Sequence, residues 1–120
     1  MSRGLLLCEV GGARFAVAAA EVVAIEPAGA PGAEVQPAQA AFGGDGVARR
    51  LLVTGEGSRV GVDGVELEAE AGGLLGLPRP LAGLAGGSVR GFVEARGRLW
   101  PLLGLVPFEH YLRARARAPR

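Results

Sequence analysis

The chain has 120 residues, a length typical of one domain, and 49% of them are hydrophobic. Charged residues make up 21% and the formal net charge is +1, a balance that argues against a disordered chain and against a strongly basic nucleic-acid-binding protein. The single cysteine, Cys8, lies in an apolar run, so a buried, unreactive thiol and no internal disulfide are expected. The N-terminal apolar patch is too short for a signal peptide or a membrane span, which predicts a cytoplasmic protein without membrane insertion.

The first part of the chain is predicted to open as a β-hairpin. Two apolar runs, LLLCEV and FAV, flank a Gly-Gly turn. A brief turn over residues 18–21 and a strand over 22–26 follow. A loop rich in Pro and Gly, 27–34, then leads to a short helix within VQPAQAAF, with Pro37 in its first turn and GGDG, 43–46, at its end.

The second part contains two further hairpins. RLLVT, a Gly-Glu-Gly-Ser turn and a long strand form the first, and the turn ARGR joins the strands of the second. Between them, residues 71–87 are interpreted as a crossing connection with some buried leucines. The chain ends in a helix that begins near Pro107 and continues into a frayed, Arg-rich tail, 113–120. Short strands separated by Gly-rich turns predict an all-β barrel or sandwich.

A parity change marks the stretch RVGVDGVELEAE, residues 59–70. Apolar residues occupy even positions before Asp63 and odd positions after it. Because side chains on a strand alternate between its faces, one extra residue at Asp63-Gly64 predicts a bulge or sharp bend. The stretch also contains four carboxylates: Asp63, Glu66, Glu68 and Glu70. The last three fall on one outward face with no evident cation, which is typical of a solvated strand rather than a metal or catalytic site.

No arrangement of residues predicts an enzyme. The single histidine, His110, falls in the terminal helix and is expected to be a surface residue rather than a general base or metal ligand. The glycine runs connect strand to strand and the chain has no lysine, so no phosphate-binding loop is expected. Alternate arginines of the tail do not share a helix face, which argues against nucleic acid as a partner. No catalytic residue, metal or cofactor is therefore predicted.

Six short motifs follow one another along the chain: F-A-V-x-x-x-x-V-x-x-I, R-L-L-V, V-D-G-V, L-P-R-P, V-R-G-F-V and R-L-W-P-L-L. Each is weak alone, but in this order the chain, over residues 5–112, resembles the CheW-like family of bacterial chemosensory coupling proteins. The resemblance implies one CheW-like domain over residues 1–112, built as two small SH3-like β barrels around a shared core. Members of this family are non-catalytic adaptors that link the cytoplasmic tip of a methyl-accepting chemoreceptor to the regulatory domain of a CheA-type histidine kinase.

The resemblance also implies an apolar groove that binds the receptor. The residues that match it in this chain are Val22, Val62, Val65 and Leu67. The alternative for each of them is an ordinary core position, because strand residues of this type are mostly buried.

Several positions depart from the family pattern. Between Ile25 and Arg49 the usual G-V-I-N-L-R-G strand pair is absent, so the first barrel is truncated. Ala24 stands where the family has an acidic residue, and Gly104 stands where an aspartate is common. The absent turn and the position of Ala24 belong, in the family, to the surface associated with kinase contact. These departures predict a shortened member, similar to FrzB of Frz-type systems, with receptor binding retained and kinase binding weakened or lost.

Two alternative functions stay open, namely a complete receptor-to-kinase coupling protein and an unrelated SH3-like module that uses the Arg-rich tail on an acidic partner. Loss of a strand pair also predicts an open barrel edge. Either the Pro-containing segment 27–37 covers this edge, or a partner or a second copy of the chain pairs with it.

Overall fold

The computed structural model describes residues 4–29, 35–42, 48–69, 73–81 and 83–117, and strands make up most of this part. The strands are β1 (Leu5–Val10), β2 (Ala13–Ala18), β3 (Val22–Pro27), β4 (Val35–Pro37), β5 (Arg50–Thr54), β6 (Arg59–Val62), β7 (Gly64–Glu68), β8 (Leu74–Gly76), β9 (Val89–Ala95) and β10 (Arg98–Leu103). The helices are α1 (Gln39–Phe42) and α2 (Leu105–Arg117), with 3₁₀ turns at Ala19–Glu21, Arg79–Leu81 and Leu84–Gly87.

The strands form two sheets. The six-stranded sheet has the order β7-β1-β2-β10-β9-β8, and the four-stranded sheet has the order β3-β5-β6-β4. The pairs β1–β2, β5–β6 and β9–β10 are antiparallel, as the three predicted hairpins require. The pairs β2–β10 and β4–β6 are parallel. The predicted all-β class with a short C-terminal helix is confirmed.

Two of the hairpin turns pass through the left-handed backbone region. Gly11 and Gly12 have φ of 53° and 91° in the β1–β2 turn, and Arg96 and Gly97 have φ of 53° and 73° in the β9–β10 turn. Two successive residues of positive φ form the tight turn that matches the twist of a two-stranded hairpin. Glycine adopts this backbone without a steric cost, whereas Arg96 adopts it in spite of its Cβ atom.

The predicted bend at Asp63 moves the chain from one sheet to the other. β6 ends at Val62 in the four-stranded sheet, and β7 begins at Gly64 in the six-stranded sheet. The N–H of Asp63 donates to the carbonyl oxygen of Glu9 at 2.9 Å, which connects the bend to β1. A single residue outside both strands is therefore enough to reverse which side of the chain faces the core.

The larger core contains side chains of both sheets and of α2. Phe15, Leu52, Val62 and Phe108 are among its members, and none of them is more than 1% exposed. The rings of Phe15 and Phe108 lie 5.5 Å apart in a tilted arrangement, which adds a favourable edge-to-face contact to the burial of apolar surface. Cys8 belongs to the same core, and burial raises the pKa of its thiol to about 12, as expected for an unreactive cysteine.

A smaller core lies on the other face of the six-stranded sheet. Its buried members are Leu5, Leu7, Ala16, Val93, Ala95 and Trp100. In β1, for example, Leu5 and Leu7 belong to the smaller core while Leu6 and Cys8 belong to the larger one, so this strand is apolar on both faces. The six-stranded sheet is therefore covered on both sides.

The segment around Pro37 differs from its prediction. Pro37 ends β4, which pairs in parallel with β6, and α1 starts only at Gln39. The predicted short helix within VQPAQAAF is present as α1, but the placement of Pro37 in its first turn was wrong because pairing with β6 takes the three residues of β4 into the sheet. The predicted helix end at 43–46 lies outside the described residues.

The connection over residues 71–87 also differs from its prediction. β8 forms within it and pairs with β9 at the edge of the six-stranded sheet. None of its five leucines is buried: Leu77 is half-buried and the other four are exposed, so the expectation of some buried leucines was wrong. α2 begins at Leu105, two residues before Pro107, and continues to Arg117.

Candidate functional site

Two of the predicted groove residues, Val65 and Leu67, share a face of β7. They pair in register with Cys8 and Leu6 of β1, whose side chains belong to the larger core. Directly opposed residues of an antiparallel pair lie on the same face, so Val65 and Leu67 both point to the side of that core. Val65 is partly buried against it, whereas Leu67 is 63% exposed.

The other two predicted groove residues are more deeply placed. Val62 is 0% exposed and lies within the larger core, so it offers no surface to a partner. Val22, at the start of β3, is partly buried against the same core. Of the four predicted residues, Leu67 alone projects into solvent. The assignment of these residues to a binding groove stays a prediction, and Leu67 is the member that a partner touches without rearrangement of the core.

The acidic residues of β7 lie on the opposite face of the strand from Leu67. The side chain of Arg96, in the β9–β10 turn, donates to Glu66 and, at 2.9 Å, to Oε2 of Glu68. These hydrogen bonds, the one to Glu66 first, raise the pKa of Arg96 above its ordinary value. The predicted common face of the two glutamates is confirmed, but the expectation that they have no cation was wrong. The cation comes from a turn about thirty residues along the chain, which no local pattern indicates. Glu70 lies outside the described residues.

A small hollow opens beside this ion pair. It has a volume of about 180 Å³ and combines Leu7, Val65 and Trp100 with the charged side chains of Glu66 and Arg96. The indole N–H of Trp100 donates to the backbone carbonyl oxygen of Ala95 at 2.9 Å, and this buried hydrogen bond fixes the position of the ring. The hollow therefore has an apolar floor with charged side chains beside it.

The side chain of Asp63 makes hydrogen bonds that connect three parts of the fold. Its carboxylate accepts hydrogen bonds from the N–H of Gly11 at 2.6 Å and from Nε2 of Gln39 at 2.7 Å. The side chain thus connects the β1–β2 turn and α1 to the bend between β6 and β7. This agrees with the interpretation of Asp63 as a bend residue.

The outer edge of β3 is one of the two edges of the four-stranded sheet. β3 pairs with β5 on one side, and within the described residues no strand pairs with it on the other. Val23 and Ile25 on this strand are 65% and 46% exposed. Ala24, at the position where the family has an acid, is also exposed. β4, which belongs to the segment predicted to cover the edge, pairs instead with β6 at the far side of the sheet.

An apolar groove that the sequence did not indicate lies beside α2. It has a volume of about 280 Å³, and its walls include Phe42, Leu84, Pro101, Phe108 and Tyr111. The aromatic spacing of three within α2 was the available signal, since it placed Phe108 and Tyr111 on neighbouring positions of one helix face. Leu84 comes from the connection that was expected to bury its leucines.

The N-terminus of α2 is capped from a distant part of the chain. Oε2 of Glu21, which directly precedes β3, accepts a hydrogen bond from the N–H of Leu105 at 2.7 Å. Oε1 of Glu21 lies 3.6 Å from the guanidinium of Arg90. Arg90 in turn lies over Gly104, where an added Cβ would come within 2.7 Å of Nε. Glu21 therefore places a carboxylate at the N-terminus of α2. An aspartate at position 104, directly before the helix, would place a carboxylate there from within the same segment.

The side chains with nucleophilic or basic potential serve structural contacts. The hydroxyls of Thr54 and Ser58 are 2.8 Å apart across the β5–β6 turn, and Ser88 donates to a backbone carbonyl oxygen at 2.7 Å. His110 is at the surface of α2 as predicted, and its Nε2 lies 2.9 Å from Oε1 of Glu56. Within the described residues, the hydroxyls of Thr54, Ser58 and Ser88 thus bond to one another or to the backbone, and His110 bonds to a carboxylate.

Comparison with known proteins supports the architecture. No protein-family model and no curated protein matches the sequence. Among solved structures, the crystal structure of the scaffolding protein TtCheW from Thermoanaerobacter tengcongensis matches with a TM-score of 0.66 and 14% sequence identity, over 88% of this chain and 86% of that one. The fold is CheW-like. The expectation of two SH3-like halves around a shared core is thereby confirmed, whereas the low identity restricts the comparison to the fold.

In the part of the chain that the structure describes, no helix combines the length and apolar character that crossing a lipid bilayer requires.

Proposed function

We propose that this protein is a non-catalytic adaptor of a bacterial chemosensory system, located in the cytoplasm. The observation that carries the proposal is the CheW-like fold, in the same chain that contains the six ordered sequence motifs. The similar protein, TtCheW, is described as a scaffolding protein. An adaptor needs binding surfaces rather than reactive groups, and the exposed apolar residues on β3 and β7 offer such surfaces.

The proposed partner on the β7 side is the cytoplasmic tip of a methyl-accepting chemoreceptor. Leu67 provides an exposed apolar side chain at the rim of the larger core, and Val65 lies beside it. Val22 and Val62 belong to the same core and support this rim from within. Burial of an exposed leucine against a partner contributes on the order of 1.5–3 kcal/mol, which makes Leu67 a suitable anchor.

The proposed loss concerns the surface for the kinase. The chain lacks the strand pair that follows Ile25 in the family pattern, and Ala24 replaces the acidic residue. β3 consequently ends its sheet with Val23 and Ile25 exposed. We therefore assign weak or absent binding to the regulatory domain of a CheA-type kinase, as in a shortened adaptor similar to FrzB.

Binding measurements on the two purified partners test this assignment. The chain is titrated separately with a receptor signalling tip and with a kinase regulatory domain in a calorimeter. We expect binding to the receptor tip and at least tenfold weaker binding to the kinase domain. Tight binding to both domains would instead identify a complete coupling protein, and binding to neither would contradict the chemosensory assignment.

A matched pair of variants tests the anchor. Leu67→Glu should weaken receptor binding at least tenfold, because it places a charge in an apolar contact. Leu99→Glu is the control, since Leu99 is 55% exposed on a strand of the same sheet but does not belong to the proposed groove. Equal binding by the two variants would remove Leu67 from the interface.

Self-association through β3 is a second proposal, supported by its unpaired outer edge within the described residues. An exposed edge strand with apolar side chains pairs readily with another strand. Sedimentation over a range of concentrations should show dimer formation, and Ile25→Lys should shift the chain to monomer. A monomer at every concentration would leave the edge for a different partner.

A further inference from the structure

The contact between the β5–β6 turn and α2 contains three potential metal ligands. His110 and Glu109 are adjacent on α2, and Glu56 projects from the turn. One imidazole nitrogen and one oxygen from each carboxylate lie within 4.8 Å of one another. We propose that these three residues bind a divalent transition-metal ion, with Zn²⁺ as the representative ion. This inference is independent of the proposed adaptor function.

The ligand atoms of His110 and Glu56 are separated by nearly the distance that two ligands of one metal ion require. Nε2 of His110 and Oε1 of Glu56 are 2.9 Å apart. Ligand atoms bonded at about 2.0–2.2 Å to one Zn²⁺ ion are separated by roughly 3–3.5 Å, depending on the geometry. The side chains of His110 and Glu56 are 53% and 54% exposed, so both can adjust by small rotations. An ion can therefore enter between them without disturbing the core.

The third ligand, Glu109, differs from the two exposed ligands because its carboxylate is buried. Glu109 is 1% exposed, and its Oε1 accepts a hydrogen bond from Arg113 at 2.8 Å. Its Oε2 is buried and has no hydrogen-bond partner within the described part of the chain. A buried carboxylate oxygen without a partner carries a desolvation cost that an additional positive charge relieves. A bound cation would provide that charge.

The ligand set favours a transition metal over Mg²⁺ or Ca²⁺. One imidazole and two carboxylates form a mixed nitrogen and oxygen set of three ligands, with a fourth position left to water. Mg²⁺ and Ca²⁺ prefer oxygen ligands alone and a higher coordination number. Arg113 forms an ion pair with Glu109, so the carboxylate of the cluster that has no arginine partner among the described ion pairs is Glu56, and it attracts the ion.

A metal at this position would act as a cross-link. It would join the β5–β6 turn of the four-stranded sheet to α2, two elements that the sequence separates by 53 or more residues. Because the metal binds the folded chain, saturating Zn²⁺ should raise the melting temperature in proportion to the logarithm of the free ion concentration.

The test uses the full-length chain without a histidine tag, first freed of metal with a chelator. Calorimetric titration with ZnCl₂ should show one ion per chain, and MgCl₂ at the same concentration should give no binding. His110→Ala and Glu56→Gln should each weaken Zn²⁺ binding at least tenfold, and both should reduce the rise in melting temperature at a given Zn²⁺ concentration. Co²⁺ as a spectroscopic probe should develop visible absorption bands that the same two variants lose.

Glu94→Gln is the matched control, because Glu94 is an exposed carboxylate on β9 and does not belong to the three-residue cluster. This variant should bind Zn²⁺ like the unmodified chain. Circular dichroism without metal verifies that each variant is folded. The proposal is overturned if Zn²⁺ does not bind, if His110→Ala and Glu56→Gln bind normally, or if only His110→Ala weakens binding, which would indicate a single surface histidine.

Discussion

The edge strands β7 and β3 end their sheets in different ways. On β7, one face carries Val65, which packs against the larger core, and Leu67, which is exposed, and the other face carries two glutamates that accept hydrogen bonds from Arg96. On β3, Val23 and Ile25 project into solvent, and Glu26 forms a 2.8 Å ion pair with Arg59 of β6, the strand beyond its neighbour β5. Both edge strands therefore have a charge contact from beyond their neighbour in the sheet, but β7 carries two paired glutamates, whereas β3 carries one and exposes two apolar side chains.

This difference indicates which edge is more open to pairing with a further strand. Charged side chains make an edge less accessible to a further strand, and β7 carries two glutamates bonded to Arg96. β3 carries one charged side chain, Glu26, and two exposed apolar ones, so its edge is better suited to pairing. The predictions below test the core that lies beneath both edges and then the contacts that belong to one edge only.

The largest effect is expected at the core beneath both edges. Val62→Ala should lower the free energy of unfolding by about 2–3 kcal/mol, because Val62 is 0% exposed and its removal leaves a cavity. Val23→Ala, the same change at 65% exposure on β3, should alter it by less than about 0.5 kcal/mol. Chemical denaturation measures both. Similar values for the two variants would contradict the contrast between a shared core and an open edge.

The next effect concerns the bend that connects the sheets. Asp63→Ala should cost about 2 kcal/mol of unfolding free energy, because the N–H of Gly11 and the amide of Gln39 lose a charged acceptor. Asp63→Asn retains one oxygen and should cost roughly half as much. If Asp63→Ala were as stable as the unmodified chain, the bend would be maintained by the backbone bond to Glu9 alone.

A smaller effect is expected at the cap of α2, beside the start of β3. Glu21→Ala should destabilise the protein by about 1 kcal/mol, the usual value for a lost helix N-cap. Hydrogen exchange should show faster exchange of the Leu105 amide, with less change in β9 and β10. Glu21→Gln retains an acceptor oxygen and should be milder. Unchanged exchange at Leu105 would show that Glu21 does not cap the helix.

The smallest effect is expected at the charge contact on β7. Arg96→Ala should lower the melting temperature slightly, because exposed ion pairs contribute little, and the loss should shrink as salt screens the charges. Arg98→Ala, at an exposed position two residues further on, is the control and should have no effect. A loss that does not change with salt would mean that the Arg96 side chain acts through packing instead of charge.

Local patterns predicted the strands and turns well. The Gly-Gly and Arg-Gly turns lie where the runs of apolar residues indicated, and the parity change located the bend at Asp63-Gly64 within one residue. These features depend on neighbouring residues only, since alternation along a strand and positive φ at glycine are properties of the local chain. The predictions failed for the position of Pro37 and for β8, where a distant strand pairs with a short segment and brings it into a sheet.

The candidate site was harder to predict from the sequence than the strands and turns were. Parity placed Val62 and Val65 on inward faces, but it did not distinguish a fully buried valine from one at the rim. The apolar groove beside α2 and the cluster of Glu56, Glu109 and His110 both join segments that are far apart in the chain. Without the fold, no spacing rule brings such segments together.

The sequence by itself determined the all-β class, the positions of three hairpins and the bend at Asp63-Gly64. Each of these follows from the order of apolar residues and turn residues along the chain. Only the tertiary structure decided which carboxylates have partners. Arg96 donates hydrogen bonds to Glu66 and Glu68, and Glu21 caps a helix that begins 84 residues later. Such contacts depend on distances in space between segments that are far apart in the chain, and the acidic residues on β7 consequently form a charged support for that edge of the six-stranded sheet.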